Sequence, residues 1–336
     1  MLNFDEARFL RIQTGAVGLI ESIQKIVRAR LPKSENIFFL GTGGAAILME
    51  PAVELLRRRS RFPVFREIAA ELVVSGSRNL GPGSLVVMPS LSGTTRESVE
   101  ALALCRERGA TIISLVGHGD TPLGEGADHA LVNFAEDDTS SESFYIQSLA
   151  IALSIMSERG EFDGFAEFNS GLDRLPAALV RAKREFEPAA ERLAETFKDE
   201  KYHIISGAGG TWPQAFYYGM CILEEMQWIR TRPVHASDFF HGTLELVEKG
   251  VSIILLKGED EFRPLVERVE AFARNYTDKL TVIDSAAFEL SGIETATRCL
   301  ISPIVFATLL ERLSAHLEVK RAHPLTTRRY YKRVNY

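Results

Sequence analysis

Four hydroxyl side chains stand within six residues, at Ser90, Ser92, Thr94 and Thr95. An apolar run at 84–88 precedes them and apolar residues recur at helical spacing after them, which predicts a loop leading from a buried strand into a helix. The first N–H groups of a helix lack internal partners and favour negative charge, so this loop is suited to a phosphate. Ordinary helix capping is the alternative, but one hydroxyl is enough for a cap.

A glycine-rich segment follows an earlier apolar strand, at Gly41, Gly43 and Ala46. Its spacing fits the GxGxxG/A dinucleotide fingerprint, and Glu67 lies near the end of the next predicted strand, so an NAD-dependent dehydrogenase is a second hypothesis. A similar segment opens at Gly207, which favours a packing requirement over a nucleotide site. A sugar phosphate bound at the serine loop can also touch this loop. The candidate substrate contacts here are Thr42, Gly43 and Gly44.

Short apolar strands alternate with helical segments, which is typical of a parallel sheet with helices on both faces. The alternation occurs on both sides of a polar, irregular stretch at 160–171 and predicts two copies of one α/β unit. We therefore expect domains at 1–160 and 171–336, the second beginning with a helix over about 172–197. The predicted strands are 37–40, 62–65, 84–88, 111–116, 130–134, 202–205, 251–256 and 280–283.

Composition and charge restrict the class of protein. The 336 residues are 46% hydrophobic and 25% charged with a formal net charge of −6, which favours a globular protein whose main partner is neither nucleic acid nor an acidic membrane. We expect no membrane span and no secretory signal. Widely spaced cysteines predict buried thiols in a reducing compartment, hence a cytoplasmic protein. They are Cys105, Cys221 and Cys299.

These features together resemble the sugar isomerase (SIS) family of phosphosugar-binding proteins, over nearly the whole chain and as two such domains. The resemblance implies three α/β/α layers and a parallel five-stranded sheet in each domain. The isomerase half of glucosamine-6-phosphate synthase carries the phosphate loop Ser-Gln-Ser-Gly-Glu-Thr, and this chain reads Ser-Leu-Ser-Gly-Thr-Thr from Ser90. The resemblance therefore implies phosphate-binding roles for Ser90, Ser92 and Thr95.

The most specific part of the resemblance is an acidic residue followed sixteen positions later by a histidine. In the family a catalytic Glu lies on the helix after the second glycine loop, and a catalytic His follows in a His-Gly pair. Glu225 and His241 take these positions. The family implies that Glu225 is the base that moves a proton between sugar carbons. It also implies that His241 is the acid that opens the ring, in the site of a neighbouring subunit of a homodimer.

Two further regions extend the match. The family's acidic–Ser segment maps onto residues 136–141, with Ser140 and Ser141 as substrate contacts. The basic C-terminal tail includes Arg329, another candidate contact, and in the family such a tail closes the sugar site. The synthase's lysines before the catalytic Glu are missing here, and we expect no glutaminase half. The chain therefore looks closer to bacterial fructosamine-6-phosphate deglycases.

The resemblance implies cleavage of a fructosamine-type sugar–amino acid 6-phosphate to glucose 6-phosphate and free amine. Proton transfer from C1 to C2 gives an imine, which water hydrolyses. An aldose–ketose phosphosugar isomerase and an enzyme like the glucosamine-forming aminotransferase stay open, since both need the same proton shuttle. A non-catalytic phosphosugar sensor is a further alternative. We expect no redox cofactor, and no metal because His, Cys and acidic residues do not cluster at ligand spacing.

Overall fold

The computed structural model describes residues 1–135, 141–331 and 333–334. The chain forms two compact units. The first unit is Glu6–Pro176. The second unit is Ala177–Tyr336 together with Met1–Asp5, so the first residues of the chain belong to the second unit.

The stretch expected to be a linker differs in the structure. A 33-residue helix, Phe165–Phe197, includes much of residues 160–171 as well as the helix predicted after them. Phe165, Phe168 and Leu172 recur at helical spacing and are all buried, although the polar residues between them suggested an irregular segment. The boundary between the two units lies within this helix.

The first unit contains a parallel sheet whose strands among the described residues number five, as predicted. They are β1 Asn36–Gly41, β2 Val64–Ile68, β3 Ser84–Ser90, β4 Thr111–Val116 and β5 His129–Val132. Their order in the sheet is β2-β1-β3-β4-β5. Strands β1 and β3 are buried along their whole length, because a central strand covered on both faces needs apolar residues throughout. The parallel strands end at one edge, where the serine loop leaves Ser90.

Helices precede, separate and follow these strands along the chain. They are α1 Glu6–Gly18, α2 Ile20–Arg30, α3 Gly43–Ile47, α4 Glu50–Arg59, α5 Ala69–Ser75, α6 Arg96–Glu107, α7 Pro122–Gly126, α8 Glu142–Glu158 and α9 Phe165–Phe197. Every residue of α8 from Glu142 to Met156 is buried. This helix is therefore a core element and not an amphipathic surface helix.

The second unit has a smaller sheet than expected. Its parallel strands are β6 Tyr202–Gly207, β7 Arg230–His235, β8 Ser252–Lys257 and β9 Lys279–Asp284. Their order, β7-β6-β8-β9, repeats that of β2-β1-β3-β4. Among the described residues the expected fifth strand is absent, and that prediction is wrong. After β9 the chain forms a 3₁₀ turn at Ser285–Ala287 and a bend at Gly292, whose φ of +78° is foreign to a strand.

Besides the part of α9 from Ala177 onward, the second unit has helices that follow the glycine loop after β6. They are α10 Trp212–Tyr217, α11 Glu225–Gln227, α12 Arg263–Tyr276 and α13 Thr295–Lys320. A π-helical segment, Tyr218–Glu224, joins α10 to α11. This wide-turned segment leads directly to Glu225.

Strand β7 is the one that the sequence did not reveal. It alternates charged residues with shorter ones, and Pro233 lies inside it. Proline has no N–H to donate and is tolerated because β7 is an edge strand of its sheet. A search for apolar runs therefore misses such a strand.

Helix α13 bears on the expectation that the chain has no membrane span. By length and composition it is the one helix in the described part of the chain that could cross a membrane. In the structure 89% of its apolar window is buried inside the protein, and Arg312 within the helix is fully buried. A mostly buried core helix can meet the same criteria of length and composition, and the burial of α13 is that of a core helix.

Candidate active site

The serine loop joins β3 to α6 as predicted and is built around its own hydroxyl groups. Ser90 is buried at the end of β3, and its Oγ lies 3.3 Å from the Oγ1 of Thr95. The N–H of Gly93 donates to that same Ser90 Oγ at 3.2 Å. Ser92 Oγ accepts a long hydrogen bond of 3.4 Å from the N–H of Thr94. These contacts bring the three predicted phosphate-binding hydroxyls, Ser90, Ser92 and Thr95, onto one short turn.

Gly93 is required by the path of this loop. Its φ is +63°, and a Cβ added there would lie 2.1 Å from the Oγ1 of Thr121. The carbonyl of Gly93 also accepts from the N–H of Leu123 at 3.1 Å, which ties the loop to α7. The positive φ, the close approach of Thr121 and this hydrogen bond restrict the conformation of the loop.

The side chain of Thr95 is where helix capping at this turn can be examined. It occupies the N-cap position of α6, yet among the hydrogen bonds of the described residues its side chain makes none to the first helical turn. Simple capping is therefore not what this hydroxyl does. The N-terminus of the twelve-residue α6 retains N–H groups and dipole for an anion.

The first glycine loop combines a packing requirement with an exposed turn. A Cβ at Gly41 would lie 3.2 Å from the Cα of Ala46, and one at Gly207 would lie 3.0 Å from the carbonyl oxygen of Thr211. Glycine at both positions thus permits close contact of strand and helix. Gly43 is exposed with a φ of +54°, and the buried Oγ1 of Thr42 has no hydrogen-bond partner within the described residues. Gly44, the remaining candidate, is half-buried.

The second glycine loop is filled by the protein's own carboxylate. The N–H of Gly210 donates to Asp260 Oδ2 at 3.0 Å, and a Cβ at Gly209 would lie 2.6 Å from that oxygen. Asp260 also accepts from the N–H of Phe262 at 3.1 Å. A carboxylate here repels a phosphate, so this loop is unsuited to bind an anion.

Of the two serines expected to contact substrate before α8, one can be placed. Ser140 lies outside the described residues. Ser141 is buried and precedes the first residue of α8, and its carbonyl accepts a hydrogen bond of 3.4 Å from the N–H of Tyr145. The structure therefore places Ser141 at a helix start.

Glu225 follows the π-helical segment Tyr218–Glu224, a type of segment that occurs frequently at functional sites. The segment packs closely on β7, since a Cβ at Gly219 would lie 2.8 Å from the Cγ of Pro233. Helix α11 then ends at Trp228, which adopts a left-handed conformation with a φ of +56°. The short, bounded helix fixes the direction of Glu225.

Adjacent acids at this position have different partners. Glu224 Oε1 accepts from the N–H and the hydroxyl of Thr231, at 3.1 and 2.5 Å, and so ties the segment to β7. Glu225 is half-buried, and its Oε1 lies 2.9 Å from Nε of Arg328. The structure thus gives Glu224 a structural contact and presents Glu225 to the C-terminal tail.

The tail that carries Arg328 docks on the residues around Glu225. Gln227 donates to the carbonyl of His323 at 2.8 Å, and the ring of His323 meets that of Trp228 at 4.4 Å. Arg329, the predicted substrate contact, lies 3.8 Å above the Trp228 ring. Sequence reasoning chose Arg329 and missed Arg328, because a run of basic residues does not reveal which one faces an acid.

His241 lies in the turn after β7. It is exposed, and its N–H donates to the carbonyl of Asp238 at 2.9 Å. The next residue, Gly242, has a φ of +135°, a conformation that favours glycine. The His-Gly pair therefore presents the imidazole on an exposed turn.

Burial makes two of the cysteine thiols poor nucleophiles. Burial raises the pKa of Cys221 to about 12, and the carboxylates of Glu225 and Glu224 add to that effect. Burial likewise raises the pKa of Cys105 to about 12. Within the part of the chain that the structure describes, no group of three His, Cys or acidic residues is placed to hold a metal ion.

Known proteins share this architecture. The SIS domain family model matches residues 30–157. Fructosamine deglycase FrlB of Bacillus subtilis (strain 168) is 31% identical over 312 residues, which are 90% of this chain and 93% of that protein. The fructoselysine 6-phosphate deglycase of Escherichia coli (strain K12) is 26% identical over 88% of this chain and 85% of its own length.

A solved structure agrees with these relatives. A Bacillus subtilis crystal structure, described as a candidate phosphosugar isomerase, has a TM-score of 0.89 and 28% identity, covering 97% of this chain and 99% of that one. The fold of this chain is thus shared with that solved structure. This chain belongs to the SIS domain family, in the group that includes fructosamine deglycase FrlB.

Proposed function

We propose that this protein is a deglycase that cleaves a fructosamine-type sugar–amino acid 6-phosphate to glucose 6-phosphate and free amine. The observation that carries the proposal is the 31% identity to fructosamine deglycase FrlB over nine-tenths of the chain. The geometry supports it, since Glu225 is half-exposed at the end of a π-helical segment beside a guanidinium. A partly exposed carboxylate can reach a sugar carbon and exchange a proton with it.

The proposed reaction requires one base, one acid and one water molecule. Glu225 removes a proton from C1 of the open-chain ketoamine and returns a proton to C2, while the C2 oxygen gains a proton and the amine nitrogen loses one. The C2 carbonyl thereby becomes a hydroxyl and the C1–N bond becomes an imine. Water adds to the imine carbon, and the C–N bond breaks to give the aldehyde of glucose 6-phosphate and the free amine. His241 donates the proton that opens the sugar ring beforehand. No electrons enter or leave.

Binding roles belong to the loops of the first unit and to the tail. The 6-phosphate is bound by Ser90, Ser92 and Thr95, whose hydroxyls share one turn at the N-terminus of α6. The sugar is contacted by the remaining candidates, which are Thr42, Gly43, Gly44, Ser140, Ser141 and Arg329. Nothing in this reaction calls for NAD, and Gly41 has a packing role that accounts for its position in the fingerprint.

Subunit sharing and location complete the proposal. His241 acts in the site of a second copy, so the enzyme is a homodimer or a higher homo-oligomer, in the cytoplasm, with neither nucleic acid nor membrane as partner. Exposure of His241 on a turn supports its contact with another chain. If analytical ultracentrifugation finds a monomer at assay concentration, the proposal that two subunits share a site is contradicted.

An aldose–ketose phosphosugar isomerase is the second candidate. The 28% identical Bacillus subtilis structure is described as a candidate phosphosugar isomerase. An aldose–ketose isomerase needs the same proton transfer between C1 and C2. It differs in substrate, since it requires no amine at C1. An aminotransferase-like reaction differs again, because it needs a supply of ammonia.

The test is incubation with a panel of sugar–amino acid 6-phosphates, with fructose 6-phosphate alongside, while glucose 6-phosphate is followed. We expect glucose 6-phosphate from at least one amine adduct at a rate well above that from fructose 6-phosphate. Calorimetry with glucose 6-phosphate should show binding that Ser92→Ala weakens about 10- to 100-fold, since hydrogen bonds to charged groups contribute about 1.5–3 kcal/mol. Formation of glucose 6-phosphate from fructose 6-phosphate but from none of the amine adducts would contradict the deglycase and favour the isomerase.

A further inference from the structure

The C-terminal tail contacts Glu225 through the largely buried guanidinium of Arg328. The side chain of Arg328 is 12% exposed, and its Nε lies 2.9 Å from Glu225 Oε1. A terminal nitrogen of the same guanidinium donates to the carbonyls of Leu325 at 2.5 Å and Thr327 at 3.1 Å. The guanidinium is thus held by the backbone of its own tail before it reaches the acid.

Other contacts hold the tail in place independently of Arg328. His323 is bound by Gln227, Arg329 lies over Trp228, and the N–H of Leu325 donates to Glu318 Oε1 at 2.9 Å. Removing the Arg328 head group therefore leaves the docking contacts on both sides of it. The Arg328–Glu225 contact can be tested apart from tail docking.

We propose that Arg328 is a positioning residue that orients the carboxylate of Glu225 and keeps it charged for proton abstraction; this inference rests on the proposed function. A planar guanidinium anchored at two carbonyls fixes the plane and distance of its hydrogen bond, which a flexible ammonium does less well. The nearby Glu224 and Cys221 do not supply this charge, since the first is a carboxylate and the second a buried thiol. Proper orientation of a base affects kcat, whereas substrate affinity depends on the phosphate loop.

The experiment compares Arg328→Ala, Arg328→Lys and the matched control Arg333→Ala, an exposed tail arginine, in the full-length protein. Each is assayed with the amine adduct that the wild type cleaves fastest. We expect Arg328→Ala to lower kcat about 100-fold with KM little changed, as a misplaced catalytic group does. Arg328→Lys should lower kcat less than Arg328→Ala does, and Arg333→Ala should have the wild-type kcat.

Chemical rescue separates a local role from a folding defect. Guanidinium ion at a low, non-denaturing concentration should restore part of the kcat of Arg328→Ala and leave the wild type unaffected. If the wild type is active and Arg328→Ala has the same kcat, this inference is overturned and the proposed function is not. Loss in Arg328→Ala that neither Arg328→Lys nor guanidinium relieves would make the residue structural and overturn it too. A wild type inactive on the whole panel would overturn the proposed function, and this inference with it.

Discussion

Glu224 and Glu225 are adjacent in the sequence and have different surroundings in the fold. Glu224 is hydrogen-bonded to Thr231 of β7, and Glu225 is paired with Arg328 of the tail. Chemical type alone cannot distinguish the two acids. Their partners assign a structural contact to the first and leave the second as the candidate base.

Substitution of each acid by its amide should separate these roles. Glu225→Gln keeps the shape but loses the base, so turnover of the amine adduct should fall about 10²- to 10⁴-fold while glucose 6-phosphate still binds. Glu224→Gln is the matched control and should turn over close to the wild-type rate. Steady-state kinetics and calorimetry on both variants make the comparison. Equal losses in the two variants would contradict the assignment of Glu225.

At the residue scale, a specific spacing in the sequence predicts the catalytic pair, and the roles of the two residues stay a prediction. The interval from Glu225 to His241 singled out one Glu among many, and the structure puts both on short, exposed or half-exposed segments. The sequence was uninformative for Arg328, because Arg328 and Arg329 are neighbours of one type. The direction of each side chain depends on how the tail packs against Trp228, which follows from tertiary structure.

At the scale of elements, the serine loop depends on one glycine. Gly93 has a positive φ and leaves no room for a Cβ beside Thr121. The loop therefore keeps its hydroxyl groups together through backbone conformation as well as through the Ser90–Thr95 contact. A preformed loop loses little conformational freedom when it binds an anion.

A methyl group at this position should therefore be destabilising. Gly93→Ala should lower the free energy of unfolding by about 1–3 kcal/mol, through backbone strain and the clash with Thr121. Gly81→Ala is the matched control, because a Cβ there meets nothing within 4 Å. It should change the free energy by less than about 1 kcal/mol. Urea unfolding of both variants measures the difference, and equal effects would contradict the packing argument.

Elements with a strong apolar pattern could be predicted, and those set by tertiary context could not. Strands β3 and β8 are buried runs that local sequence reveals. Strand β7 carries alternate charges and Pro233, which an edge position permits. The strand order of the second sheet repeats that of the first, but the family resemblance led us to expect a fifth strand that the described chain beyond β9 does not form.

At the scale of the whole molecule, the first residues of the chain close onto its second unit. The N–H of Leu2 donates to Glu187 Oε1 at 2.7 Å, and Glu187 Oε2 lies 2.8 Å from Nε of the fully buried Arg312. His316 lies 3.1 Å from the same carboxylate. This network joins the N-terminal residues to helices α9 and α13 within one unit.

The network predicts a loss of stability in acid. Burial tends to raise the pKa of Glu187, but the Leu2 N–H, Arg312 and His316 outweigh it, so the pKa is lowered in the folded protein. A lowered folded pKa stabilises the protein above the unfolded value of about 4.5, and this stabilisation is lost as pH falls through the folded pKa. Glu187→Gln should flatten the fall in unfolding free energy below pH 4.5.

The matched control for that measurement is Glu191→Gln, an exposed acid on the same helix α9. Urea unfolding across this pH range should show the flattening for Glu187→Gln and a wild-type slope for Glu191→Gln. Parallel curves for all three proteins would show that the network does not govern acid stability.

Proton transfer between C1 and C2 by Glu225 is the central claim, and isotope labelling tests it most directly. The substrate is the amine adduct with both C1 hydrogens replaced by deuterium, and the product is analysed by NMR. We predict glucose 6-phosphate with one deuterium left at C1 and the other removed from that carbon, formed by the wild type and nearly abolished in Glu225→Gln. Fructose 6-phosphate with both deuterium atoms retained, or an undiminished rate in Glu225→Gln, would contradict the account.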